Sequence, residues 1–203
     1  LDDELCSLAA RTGAVSAVVI DFQSPVVWGT SEPRIGDENV TAAQKLSQLA
    51  EMAGRGGVRL VDLANLPEDQ VDEALARAEL NEGSRATLRR ELGRLRALDP
   101  KQRFAEVLTS RAIAQVRRPG TDDAPASSHF REVVHQEDLG YLARSFAGIY
   151  VVLLVFKNTY SELHAEAALL HALPVIERLV FALPPIEPPP KGGQVVKLPV
   201  PGS

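Results

Sequence analysis

The stretch GIYVVLLVFKN, residues 148 to 158, contains eight consecutive apolar residues, Ile149 to Phe156. A helix needs about 20 such residues to cross a bilayer, so this run is too short to span a membrane. Four of the eight are β-branched, and Lys157 and Asn158 end the run. Continuous apolarity of this length and type is typical of a strand that is covered on both faces. We therefore predict a central strand here and no membrane as a partner.

Four further segments are predicted to be strands. They are residues 14–22, 24–32, 129–138 and 140–148. The connections between neighbouring strands are short, which predicts antiparallel pairing. Apolar residues at helical spacing predict helices at residues 1–12, 39–53 and 161–183. The predicted fold class is therefore α/β of the α+β type, with an antiparallel five-stranded sheet flanked by helices.

Residues 58–118 have a different pattern, with one short strand candidate, VRLVDL, and otherwise helical spacing. One helix is expected to begin at Pro67, since proline favours the first turn of a helix. A break is predicted at Gly83-Ser84, before the next helix. Asp99 and Pro100 then predict an N-cap and the first position of a third helix.

Two sequence features concern the start and the interior of the closing helix. Thr159 and Glu162 have the spacing of a capping box, which predicts the start of the helix. Pro174 lies inside it and is predicted to kink or divide it, because proline cannot donate the internal hydrogen bond.

The predicted chain organisation has four parts. Residues 1–57 and 129–183 form the two halves of one sheet domain. Residues 58–128 are a helical insertion followed by a loop, and we expect the sheet to fold without the helices of this insertion. Residues 184–203 contain many prolines and are predicted to be a flexible tail.

Composition narrows the range of partners and compartments. A net charge of −5 and an aromatic content of 5% argue against nucleic acid as a partner. Acidic residues concentrate in 62–82 and basic residues in 85–118, which predicts unlike helices packed side by side or, as the alternative, a basic patch for an acidic partner. The single cysteine, Cys6, is expected to be a small buried apolar residue. One cysteine and no visible signal peptide indicate a cytoplasmic location.

The sequence contains no pattern typical of catalysis or cofactor binding. His164 and His171 are seven residues apart, too far along a helix axis to share one metal ion comfortably. The run GRGG at 54–57 follows a helix, whereas a phosphate cradle precedes one. We therefore expect no enzyme activity, no catalytic residue, no metal and no cofactor.

The order helix, two strands, helix, three strands and long helix carries a family resemblance. Its residues are LAARTGAVSAVVIDFQSPVVWGTSE at 8–32 and GYLARSFAGIYVVLLVFKNTYSELHAEAALLHALPVIERL at 140–179. With the insertion set aside, these segments resemble the roadblock/dynein light chain family, which is related to longin and profilin-like domains. The resemblance implies a non-catalytic homodimer or heterodimer, joined through its sheets, that binds a small Ras-like GTPase or an assembly partner.

The dimer contact is expected at strand 129–138, because an open strand edge requires a partner or a cover. Phe130, Val133 and Val134 mix with charged residues there and form the predicted dimer edge, with Val133 outside the core. The alternative function is a GAF/PAS-like sensor that binds a small ligand in a cavity between sheet and helices. The predicted core strands are almost wholly aliphatic, which favours a filled core over a ligand cavity. The scaffold function is therefore preferred to the sensor. A further alternative is an adaptor whose PPIEPPPK segment at 184–191 docks on a proline-recognition groove.

Overall fold

The computed structural model describes residues 1–22, 24, 26–32, 40–117 and 130–183. The loop predicted at 119–128 and the proline-rich tail at 184–203 lie outside these residues. The elements in chain order are α1 (Asp2–Thr12), β1 (Ser16–Asp21), β2 (Val27–Thr30), α2 (Val40–Arg55), α3 (Leu60–Asn65), α4 (Glu68–Arg77), α5 (Glu82–Arg96), α6 (Pro100–Val116), β3 (Arg131–His135), β4 (Gly140–Phe146), β5 (Tyr150–Phe156) and α7 (Glu162–Phe181).

The five strands form one antiparallel sheet in the order β2-β1-β5-β4-β3. β5 lies at the centre, with Val152 opposite Val19 of β1 and opposite Arg144 of β4. Every residue of β5 is buried. The predicted α+β fold class is confirmed, and so is the prediction of a central strand covered on both faces.

Helices α1 and α7 cover one face of the sheet, which we call the α1–α7 face. The side chains buried there include Leu5, Leu8, Val19, Leu154, Leu169 and Ile176. Helix α6 and the start of α2 cover the opposite face, which we call the α6 face. The side chains buried there include Val18, Ile20, Val40, Leu108, Ile113, Tyr141 and Leu153. Both layers therefore exclude water from β5.

Helix α6 belongs to two apolar cores at once. Leu108 and Ile113 pack on the sheet, whereas Val107 packs with buried leucines of α2, α3, α4 and α5 in a separate cluster. The sheet therefore depends on α6 for the cover of one face, although α6 falls within the predicted insertion. This packing argues against the expectation that the sheet folds without the insertion, and the four-part division of the chain remains a prediction.

Local sequence signals explain several helix ends. Gly13 ends α1 in the left-handed conformation, with φ of 70°, which glycine adopts without a steric penalty. Asp99 begins α6 as predicted, since its carboxylate accepts hydrogen bonds from the amides of Lys101 and Gln102. The Asp99 amide in turn donates to the side-chain oxygen of Gln102 at 3.4 Å, which completes a capping box.

Three predicted local features are wrong. VRLVDL lies largely in helix α3, because Leu60, Leu63 and Ala64 are buried on one helical face. Gly83 and Ser84 lie inside α5, whose N-cap is Asn81. The cap of α7 is Ser161, whose hydroxyl accepts from the His164 amide, so Thr159 forms no capping box.

Helix α7 runs through Pro174 as a single helix of 20 residues, so the proline does not divide it. Its five buried side chains, on both sides of Pro174, hold the helix against the sheet. Neither α7 nor any other helix in the described ranges combines the length and apolarity needed to span a membrane.

Unlike charges meet between the helices of the middle segment, as one of the two interpretations predicted. Arg89 of basic α5 forms an ion pair with Asp72 of acidic α4. The Arg85 guanidinium also donates to the carbonyl oxygens of Ala76 and Ala78, at 3.4 and 3.3 Å. These contacts agree with the interpretation that the acidic and basic helices pack side by side.

Candidate interaction surfaces

The first candidate surface is the free edge of β3, which is the last strand of the sheet. The Ser145 amide donates to the Phe130 carbonyl at 2.9 Å, so the backbone of Phe130 faces β4. Alternate residues of an antiparallel strand turn both backbone groups to the same side. The N–H and C=O groups of Arg131, Val133 and His135 therefore point away from the sheet. No strand within the described residues pairs with that edge.

The three residues of the predicted dimer edge lie on this strand or next to it, but their side chains face the two cores. Phe130 and Val134 pack against the α6 face, and Val133 packs against the α1–α7 face. All three are half-buried. The expectation that the core excludes Val133 is wrong, because side chains of a strand stand perpendicular to the sheet. The free edge of β3 therefore exposes backbone N–H and C=O groups rather than these side chains.

The charged side chains of β3 lie against α7 and contact its glutamates. The Arg131 guanidinium donates to Glu166 at 2.8 Å and also to Glu162, and Arg144 donates to Glu166 at 3.0 Å. The hydrogen bond from Arg131 lowers the pKa of Glu166. The imidazole Nε2 of His135 lies 3.7 Å from a Glu162 oxygen. These contacts draw the Arg131 and His135 side chains onto one face and leave the backbone between them accessible.

The opposite edge of the sheet, at β2, is covered by α1. The Asp2 carboxylate accepts the Thr30 amide at 2.9 Å, and the Cys6 thiol donates to the Ser31 carbonyl at 3.1 Å. Cys6 is exposed, so the prediction that it is buried is wrong. The two edges therefore differ, since helix side chains satisfy backbone groups at and just after β2 and a strand partner is missing at β3 in the described structure.

The second candidate surface is a groove with a volume of about 610 Å³. It lies between helices α2, α3 and α6, the β3–β4 turn and the residues that follow β5. Small-molecule sites are typically 300–1,000 Å³, mostly apolar, with a few placed polar groups. Its apolar lining consists of Ala50, Leu60, Val61, Phe104, Val107 and Leu108. The groove thus has the size and lining of a small-ligand site.

Charged groups stand at the rim of this groove. The Arg111 guanidinium donates to both oxygens of Asp138, at 2.7 and 3.3 Å, and these hydrogen bonds lower the pKa of Asp138. The Lys157 ammonium lies 4.8 Å from the centre of the Phe104 ring. An amphipathic molecule could place its apolar body on the floor and a polar group against Lys157. Sequence reasoning missed this site because its residues come from five separate segments.

No group of three or more His, Cys, Asp or Glu residues is placed to hold a metal ion in the described parts of the chain. His164 and His171 both lie exposed on α7, and His129 lies outside the described residues. The His164 Nε2 atom is 3.1 Å from the Arg11 carbonyl of α1. His164 and His171 therefore have surface positions.

Comparison of the chain with protein-family models, with curated proteins and with solved structures finds no match.

Proposed function

We propose that this protein is a non-catalytic dimeric scaffold or regulator that binds a small Ras-like GTPase or an assembly partner. The observation that carries the proposal is the free edge of β3 with its outward backbone groups. A backbone edge of this kind is a template for a strand from another chain. The dimer forms when a second copy, or a related chain, adds its own strand there.

The geometry of β3 suits pairing with a copy of itself. A two-fold axis through Val133 places Arg131 opposite His135 of the second copy and Val133 opposite itself. All three residues turn their backbone groups outward, so the pair gains about six hydrogen bonds. The charge of Arg131 is offset within its own chain, because its guanidinium pairs with both Glu162 and Glu166. The resulting sheet has ten strands.

The partner class rests on the resemblance to roadblock proteins. The observed chain order, helix, two strands, helix, three strands and closing helix, supports that resemblance once α3 to α6 are set aside. Under this proposal the protein acts in the cytoplasm and uses neither a cofactor nor a catalytic residue.

The test replaces Val133 by proline. The Val133 amide points outward, so Val133→Pro leaves the β3–β4 hydrogen bonds in place and removes a donor from the edge. We expect light scattering to show the particle mass falling by half, with a smaller fall in the melting temperature than Glu132→Pro causes, since the Val133 side chain is only half-buried. Glu132→Pro is the matched control, because its amide faces β4 and its loss should lower the melting temperature. An unchanged mass for Val133→Pro, or a monomeric wild type at the highest concentration reached, contradicts the dimer.

The regulatory half of the proposal has its own test. Purified Ras-like GTPases in the GDP and GTP states would be titrated into the protein, with nucleotide exchange and hydrolysis followed by fluorescence. The proposal expects binding that favours one nucleotide state. If no GTPase in a panel binds in either nucleotide state, the GTPase part of the proposal is wrong and binding to an assembly partner remains.

The groove supports a second candidate function, a small-ligand sensor. Val61→Trp would fill the apolar floor, and Glu68→Gln on α4 is a distant control. A library of small amphipathic acids would be screened by melting temperature. Ligands that stabilise the wild type and the control, but not Val61→Trp, support the sensor, and a screen without such ligands counts against it.

A further inference from the structure

A small polar cavity lies on the α6 face of the sheet, which we call the hydroxyl cavity. It has a volume of about 40 Å³ and lies between β1, β2, the start of α2 and α6. A cavity of this size admits water-sized groups and excludes an organic ligand of ordinary size. Six of its lining side chains carry oxygen: Ser16, Thr30, Glu32, Glu106, Thr109 and Ser110.

The Ser16 hydroxyl is fully buried and faces this cavity. Side chains alternate along a strand, and Val18 and Ile20 of β1 pack on the α6 face, so the Ser16 side chain lies on that face as well. Within the described structure, neither the Ser16 Oγ atom nor the Thr109 Oγ1 atom of α6 has a hydrogen-bond partner. Burying a hydroxyl without a partner costs free energy. These two hydroxyls, from the sheet and the helix that line the cavity, therefore indicate a group bound between them.

The charge around the hydroxyl cavity is negative. Its described lining includes two carboxylates and no Lys, Arg or His side chain. Burial raises the pKa of Glu32, and the negative charges of Asp99 and Glu106 raise it further. Arg94 lies 3.2 Å from Oε1 of Glu106 and offsets that charge from outside the cavity lining. A positive group beside Glu32 is therefore favoured, and an anion is not.

The oxygen atoms of the lining are ligands of the type that hard cations prefer. The Thr30 hydroxyl accepts the Glu32 amide at 3.1 Å, and because a hydroxyl oxygen has two lone pairs, one remains for a further contact. A water molecule alone would satisfy the two buried hydroxyls but would not balance the charge of Glu32. A small cation does both.

We propose that the hydroxyl cavity is a cation site, in which side-chain oxygens of Ser16, Glu32 and Thr109 bind one hard cation such as Ca²⁺, Mg²⁺, Na⁺ or K⁺. The bound cation joins the sheet to α6 and so stabilises the contact between the sheet and the helical segment. The expectation of no metal came from histidine spacing, and serine and threonine ligands have no comparable spacing. The site is separate from the β3 edge and from the groove, and it does not rest on the proposed scaffold function.

Thermal melts of the full chain test for the cation. The protein is dialysed against EDTA and then into a choline buffer, and CaCl₂, MgCl₂, NaCl or KCl is added singly. Choline chloride at the same ionic strength is the reference, because choline is too large for the cavity. We expect at least one of the four salts to raise the melting temperature in a saturable way, since a ligand that binds only the folded chain stabilises it. Isothermal titration calorimetry with that salt should give one ion per chain.

Two variants locate the site. Glu32→Gln removes the charge and Ser16→Ala removes the buried hydroxyl, and each should weaken cation binding at least about tenfold. Glu68→Gln, at an exposed position on α4, is the control and should bind as the wild type does. In choline alone, Ser16→Ala should melt no lower than the wild type, because it removes a buried polar atom without a partner. If circular dichroism shows that this variant is not folded, Thr109→Val replaces it.

The outcomes are distinct. Saturable stabilisation of the wild type and of Glu68→Gln that is lost in both cavity variants supports the cation site. If the wild type melts in all four salts as it does in choline, the cavity binds no cation and the proposal is wrong. The proposal is also wrong if Glu32→Gln or the hydroxyl variant binds the cation with the affinity of the wild type, since the ion then lies elsewhere on the chain.

Discussion

Replacing Ile113 by alanine tests whether α6 is part of the core of the sheet. Ile113 is 3% exposed and packs against the α6 face of the sheet. The substitution removes three side-chain carbons, whose transfer from water contributes about 2.4 kcal/mol. Ile113 also borders a small cavity of about 40 Å³, so the neighbouring atoms already leave space unfilled and the cavity grows. The total loss should therefore be about 3 kcal/mol.

Urea unfolding with two optical probes measures this loss. Trp28, the single tryptophan, packs edge-on against Tyr150 at 5.6 Å and reports on the sheet. Far-ultraviolet circular dichroism reports mainly on the helices. With an m-value of about 2–3 kcal/mol/M, both midpoints should fall by about 1–1.5 M in Ile113→Ala. Leu75→Ala, buried in the helical cluster away from the sheet, is the comparison.

The two probes give a clear refutation. If α6 served only the helical cluster, Ile113→Ala would lower the dichroism midpoint and leave the Trp28 midpoint unchanged. That result would show that the sheet does not need α6, and it would restore the prediction that residues 58–118 are removable.

Three further predictions concern local features. Ala147 has a positive φ of 47° next to Gly148 in the β4–β5 turn, a conformation that asparagine adopts more readily than alanine. Ala147→Asn should therefore raise the free energy of unfolding, measured by urea titration, by about 0.5–1 kcal/mol. An unchanged free energy would mean that the turn is not strained. Burial raises the pKa of Tyr160 to about 12, whereas the pKa of an unfolded tyrosine is about 10. This group should therefore leave the stability unchanged below pH 10 and lower it as the pH rises from 10 to 12. Thermal melts across this range should show a smaller fall in stability for Tyr160→Phe than for the wild type. Asp99→Ala removes the N-cap of α6 and should cost about 1 kcal/mol, with Asp99→Asn close to wild type; equal losses in both would mean that the charge, not the cap, matters.

The fold class could be predicted because its strongest signals are local. β-Branched runs identify β1 and β5, and Asp99-Pro100 identifies the start of α6 without reference to the rest of the chain. The pattern of VRLVDL predicts a strand because a six-residue segment with two buried leucines fits a strand and a short helix about equally well.

The packing role of α6 and the free edge of β3 depend on information that local sequence pattern does not contain. α6 buries residues toward two cores, so its sequence resembles that of any buried helix and does not indicate which layers it joins. The edge position of β3 follows from strand order, but which backbone groups face outward depends on register.

The difference between the two sheet edges has a consequence for polymer growth. A sheet with two free edges can add copies at both sides and extend into a fibre, whereas a sheet with one free edge is complete after a single addition. The first turn of α1 obstructs strand pairing at β2, because the Asp2 carboxylate already accepts the Thr30 amide. Loss of that hydrogen bond would leave a second edge open to pairing, so we expect the opening helix to limit fibre growth at β2 as well as to form a layer of the fold.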